Sequence, residues 1–178
     1  MSHYNYQDDF KRLYVKAVKL YGEGNYDKDS YFDQEELELI AANGWRVQDF
    51  FDYGEDFVRH GTPSYEVAQS IEQVRREYFI HEQKGIPSES TVTPDSLPEK
   101  SDEVEGIAWL PRIMPKAWGK IKGELDNDIM YGCGGDRNFL QTRDIHPAEF
   151  LRVAWKNIDN PKGIVEFVQS RSSQKVEA

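Results

Sequence analysis

Residues 10–21 read Phe-Lys-Arg-Leu-Tyr-Val-Lys-Ala-Val-Lys-Leu-Tyr. Phe10, Leu13, Tyr14, Ala17, Val18 and Tyr21 recur at three- and four-residue steps, the spacing of one face of an α-helix. Gly22 and Gly24 close the segment. The same grammar repeats downstream. Asp33 with Glu36 three residues on reads as a capping box, and Leu37, Ile40 and Ala41 supply the apolar stripe of a second helix that Asn43-Gly44 ends. Residues 46–60 predict a third, with Val47, Phe50, Phe51, Gly54 and Phe57 or Val58 inward and Gly61 as terminator. Thr62-Pro63 reads as a cap followed by proline in the first turn of a fourth. That helix is expected over 63–84, turning Val67, Ile71, Val74, Tyr78 and Ile80 to the core. No strongly alternating strand and no internal repeat occurs. The expected class is all-α: an N-terminal bundle of about four helices over 1–85, and a smaller helical block over 107–178.

Between them the composition shifts. Residues 86–106 read IPSESTVTPDSLPEKSDEVEG, with three prolines, four serines and six acids, and predict an acidic linker or long surface loop. Helical signals then return. Residues 111–122 form a basic amphipathic segment, Pro147 with Asp144 or His146 in front of it marks a helix start, and Phe150, Leu151, Ala154 and Trp155 give that helix its apolar face. Asn160-Pro161 opens the last helix, with Ile164, Val165, Phe167 and Val168. The tail from Ser170 is polar and expected to fray.

The chain has 178 residues and a formal net charge of -10. Four Trp, ten Tyr and nine Phe supply enough apolar area for a core despite that charge. The acidic field disfavours nucleic acid and anionic membranes, because both present phosphates. No apolar run is long enough to span a bilayer. The polar N-terminus is unlike a signal peptide, and a single cysteine excludes an internal disulfide. A cytoplasmic protein is expected, with no membrane partner and no nucleic-acid partner.

Against this acidic background, residues 107–123 hold Arg112, Lys116, Lys120 and Lys122 and no acid. Arg112, Lys116 and Lys120 are four apart, so a continuous helix stacks them along one face. Two readings follow: a solvated or internally ion-paired face, or a binding face for an anion. Pro115 bears on this, because a helix beginning there would leave Arg112 in the lead-in turn. Next comes Tyr131-Gly132-Cys133-Gly134-Gly135-Asp136. Its glycines allow positive φ and close approach of backbone N–H groups to a ligand, at a spacing that fits neither a Walker loop nor a dinucleotide fingerprint. Cys133 is either a small buried hydrophobe or a nucleophile activated by neighbouring cations. Asp136 is expected to cap residues 137–140. Asp56 with His60, and Glu77 with His81, are spaced as helical pairs. They sit near helix C-termini, where histidine complements the helix dipole, so no metal and no cofactor are expected.

Leu110-Pro111-Arg112, then Lys116-Ala117, then Tyr131, Cys133 and Asp136 with Phe139-Leu140, together resemble a family of small bacterial proteins catalogued as domain-of-unknown-function family 5069. The resemblance spans roughly residues 106–168, about a third of the chain. This chain has Gly134 where the family usually has proline, Trp118 where it has arginine, and a different residue at Pro115. The family brings no established activity, so the resemblance implies which residues to test.

Three functions are therefore weighed. One is a binding module for a small anionic metabolite, with Arg112, Lys116 and Lys120 supplying charge and Tyr131, Gly134, Gly135 and Asp136 completing the site. The second is an interaction protein anchored by Trp45, Trp109 or Trp118. The third is an enzyme with Cys133 as nucleophile and His146 as base. The oligomeric state is left open.

Overall fold

The computed structural model describes residues 3–174, and side chains as far as Arg171. Eight α-helices occur among the described residues: α1 (Tyr6–Gly22), α2 (Gln34–Ala42), α3 (Val47–His60), α4 (Tyr65–His81), α5 (Leu110–Lys122), α6 (Gly134–Gln141), α7 (Pro147–Lys156) and α8 (Pro161–Gln174). The only β-structure with more than an isolated bridge is an antiparallel hairpin of two-residue strands, β1 (Glu103–Val104) and β2 (Ile107–Ala108), again among the described residues. The class is all-α. No helix is long and apolar enough to cross a membrane among the described residues. The chain forms two compact units, Met1–Ser88 and Glu89–Ala178.

In the first unit α1 lies against α3. Phe10, Leu13, Tyr14, Ala17 and Tyr21 are buried on α1, and Phe50, Tyr53 and Gly54 on α3. A Cβ on Gly54 would lie 3.1 Å from the Ala17 carbonyl oxygen, so a residue without a side chain lets the two backbones approach. Phe10 packs its ring against Phe50 and Trp45, with centroids 5.2 and 5.3 Å apart.

The capping box of Asp33 and Glu36 forms as expected, but the apolar stripe of α2 does not. Leu37 and Ala41 are exposed; Ile40 and the carboxylate of Glu36 are buried. Glu36 tolerates burial because Arg12 and Lys16 meet its two oxygens at 2.6 and 2.5 Å. On α3, Phe57 and Val58 are exposed, and Tyr53 takes the inward position. The fourth helix begins two residues later than expected. Ser64, not Thr62, is its cap and accepts from the Val67 N–H, and Thr62-Pro63 precedes it with a cis peptide. On α4, Val67, Tyr78 and Ile80 are only half-buried, while Glu72, Arg75 and Arg76 are buried. Each finds a polar partner: Tyr53 Oη donates to Glu72 at 2.7 Å, Arg75 donates to the Gly44 carbonyl and Arg76 to Asn43 Oδ1. Hydrophobic periodicity misses such positions because the buried face is partly charged and satisfied.

The second unit includes most of the expected linker. The Val92 N–H donates to the Glu124 carbonyl at 2.7 Å, the Asp126 N–H donates to the Val92 carbonyl, and Leu97 is buried. Glu105 and Gly106, both at positive φ, form the turn between β1 and β2, and Trp109, also at positive φ, leads from β2 into α5. α5 packs on α7 and α8, burying Leu110, Ile113, Ala117 and Ile121 with Phe150, Leu151, Ala154, Ile164 and Val168. Pro115 lies inside α5 and does not begin it. The first turn is already closed by the N–H groups of Arg112 and Ile113, which donate to the Trp109 carbonyl. His146 caps α7 as expected, its Nδ1 accepting from the Ala148 N–H.

Candidate functional site

The residues of interest all belong to the second unit. α6 starts at Gly134, three residues earlier than expected, with Cys133 as its N-cap. Asp136 therefore sits inside the first turn and does not cap residues 137–140. It is fully buried, and both oxygens are engaged. Oδ1 accepts from Trp109 Nε1 at 3.0 Å; Oδ2 accepts from Lys116 Nζ at 2.5 Å and from the Gly132 N–H at 2.9 Å. A carboxylate so placed fixes the loop, the indole and the ammonium together. It has no free face for a ligand.

The basic stripe is divided. Lys116 is buried at 4% exposure and paired with Asp136, and Lys120 is buried too. Only Arg112 of the three is half-buried. Its Nη1 donates to the Pro98 carbonyl at 2.5 Å, and among the described residues it forms no ion pair. Of the readings that the spacing allowed, Lys116 takes the internally ion-paired one, because two of the basic positions of α5 point inward.

Tyr131 is also removed from any ligand. It is buried, its hydroxyl donates to the Pro147 carbonyl at 2.8 Å, and burial, helped by Asp136, pushes the phenol well above its ordinary value. Gly134 is exposed, while Gly135 lies directly under Trp109: a Cβ there would come within 2.4 Å of the indole ring.

Beside this cluster is a hollow of about 470 Å³. Trp109, Arg112, Lys116, Cys133 and Gly135 form one part of its wall. Pro94, Leu97 and Lys100 from the acidic stretch line it, as do Asp128, Ile129 and Met130 from the turn before Tyr131. Cys133 is half-buried, with Lys116 Nζ donating to its sulfur at 3.3 Å. The hollow thus brings together Arg112, Lys116, Cys133 and Gly135 from the sequence reading. Lys120, Tyr131, Gly134, Asp136 and His146 are not among its lining residues.

Sequence reasoning missed Lys100 and the part of Trp109 in the wall. Lys100 had a signal, as the sole base in residues 86–106. Trp109 had none. It caps α5 in the left-handed region, φ 71° and ψ −26°, which a bulky residue rarely occupies. The histidine–carboxylate pairs lead to no centre: among the described residues no group of three or more His, Cys, Asp or Glu is placed to hold a metal ion.

No family model, no curated protein and no solved structure matches this chain.

Proposed function

We propose that the second unit is a binding module for a small anionic ligand, received in the hollow beside α5. The observation that carries this reading is Arg112. Its guanidinium lines the hollow, makes one hydrogen bond to a backbone carbonyl, and meets no carboxylate of the described chain. A guanidinium has five N–H donors in a fixed fork suited to a carboxylate or phosphate. Lys116 lines the same hollow with its charge offset by Asp136. The motif residues Arg112, Lys116, Cys133 and Asp136 also carry the resemblance to family 5069, and we propose membership for residues 106–168 on that ground. A reducing cytoplasmic setting, in which Cys133 remains a thiol, belongs to the same reading.

The interaction reading has less support, because Trp45 and Trp118 already give their indole N–H groups to carbonyls of the chain itself. Trp45 is buried and donates to the Glu72 carbonyl; Trp118 is half-buried and donates to the Ala154 carbonyl. Nucleophilic chemistry at Cys133 remains a second reading. It is favoured by the position of the thiol in the wall of the hollow, ahead of the first-turn N–H groups of α6 and within reach of Lys116.

The test is thermal denaturation of the full chain with phosphate, nucleotides and organic acids at millimolar concentration. A ligand that binds only the native state raises the midpoint by mass action. The rise is expected in the wild type and absent in Arg112→Gln. No shift across the panel sinks the reading. For the thiol, alkylation of Cys133 in the native chain is expected to slow in Lys116→Gln; a thiol that reacts only on unfolding removes the second reading.

A further inference from the structure

Resting on the anion-binding reading, we infer that the ligand of this hollow is an aromatic monocarboxylate: a flat apolar ring carrying one carboxylate, directly or through a short alkyl link. Charge, wall and size each narrow the class. Lys100, Arg112 and Lys116 line the hollow, but Lys116 is paired with Asp136, and Asp128 stands in the same lining. The balance is a single positive charge. It suits one carboxylate better than a phosphate ester, which carries close to two negative charges at neutral pH. Polyanions would be left with uncompensated charge.

The remaining wall is apolar. Leu97 and Ile129 are almost fully buried, so their side chains are held by the fold and offer a fixed surface. Trp109 is the most constrained of all. Its backbone is held in the left-handed region, its Nε1 is tied to Asp136, and its ring rests on Gly135 with no room for a methyl group between them. An indole held this firmly in the wall of the hollow offers a fixed aromatic surface for a planar ring. A hollow of about 470 Å³ is also far larger than acetate or phosphate requires, and falls in the size range of small-molecule sites.

The experiment is isothermal titration of the full chain at low ionic strength with four probes: 3-phenylpropionate, its neutral counterpart 3-phenylpropanol, acetate and inorganic phosphate. The expected result is that 3-phenylpropionate binds at least about tenfold more tightly than each of the other three. Phosphate or acetate binding as tightly as 3-phenylpropionate overturns the aromatic class and leaves the anion site standing. Equal binding of the acid and the alcohol overturns both, because charge then contributes nothing. No binding by any probe at millimolar concentration also overturns both. Trp109→Leu, checked for native helix content by circular dichroism, is expected to lower the affinity for 3-phenylpropionate by about tenfold, the loss of a stacked ring contact, with little effect on acetate. If Trp109→Leu does not fold, the comparison of the four probes on the wild-type chain decides the question by itself.

Discussion

Lys116 Nζ and Asp136 Oδ2 lie 2.5 Å apart at 5% and 0% side-chain exposure, joining α5 to the first turn of α6. Coulomb attraction is strong in such a place, but so is the cost of stripping water from both charges. Removing one partner is therefore worse than removing both. Lys116→Met should destabilise the chain by about 3–5 kcal/mol, because Asp136 then stays buried with only the Trp109 and Gly132 donors. The double variant Lys116→Met/Asp136→Asn should regain at least about 1 kcal/mol over Lys116→Met. Urea denaturation of the four chains measures this coupling; strictly additive losses would show that the pair is not coupled.

Gly134 and Gly135 are adjacent, yet only the second is structurally demanded. A Cβ on Gly135 would meet Trp109 ring atoms at 2.4 and 2.6 Å, whereas one on Gly134 meets nothing closer than the Arg137 guanidinium at 4.0 Å. Gly135→Ala should cost about 1–3 kcal/mol by displacing the indole. Gly134→Ala should be neutral or gain up to about 1 kcal/mol through the unfolded chain. The Trp109 indole N–H resonance reports directly, moving in Gly135→Ala and staying in place in Gly134→Ala.

The difference between those two glycines shows where sequence reading stops. Apolar periodicity located α1 and α3 because their faces are carried by Phe10, Leu13, Tyr14 and Phe50, all buried. It misread Leu37 and Ala41 on α2, where Ile40 and Glu36 are the buried residues, and it left open whether the α5 cations are solvated or internally paired, since spacing alone does not show that Lys116 and Lys120 point inward. The segment expected as a linker or long surface loop is largely loop and belongs to the second unit. Its prolines and acids describe an irregular backbone, while Val92 anchors it through backbone bonds to Glu124 and Asp126, more than thirty positions away, and Leu97 is buried. The hollow follows from those long-range contacts. Arg112 and Cys133 were visible as residue types; the wall that makes them neighbours was not.

Glu36 makes the first unit sensitive to acid. Burial works against its charge, but the Lys16 ammonium, the Asp33 N–H and the Lys16 charge together outweigh it and hold the carboxyl below its ordinary value of 4.5. A carboxylate whose folded value is depressed contributes stability that is fully present above the unfolded value and is lost as pH falls through the folded one. Stability should therefore fall as pH drops below 4.5. Glu36→Gln should lower stability at neutral pH, and its deficit should shrink at a pH of about 3. Denaturation curves at the two pH values test the sign; a deficit that grows in acid would contradict it.

Tyrosines impose the opposite limit in alkali. Tyr14 and Tyr31 are buried, and burial first, then the nearby Glu66 for Tyr14 and Tyr21 and Glu55 for Tyr31, pushes both up to about 12 from 10.0. Their hydroxyls donate to the carbonyls of Pro63 and Asn25, which requires the proton to stay. An acid held protonated by the fold contributes stability in full below its unfolded value, and that contribution drains away as pH rises through the folded one. The unfolded chain releases these protons near pH 10 and the native chain near 12, so native stability should decline across that window. Ultraviolet titration of phenolate should show Tyr14 and Tyr31 ionising near pH 12 and not near 10, or only as the first unit unfolds. Tyr31→Phe should remove one late proton and flatten the alkaline decline in stability, at the cost of the bond to Asn25; an unchanged slope would show that Tyr31 titrates normally.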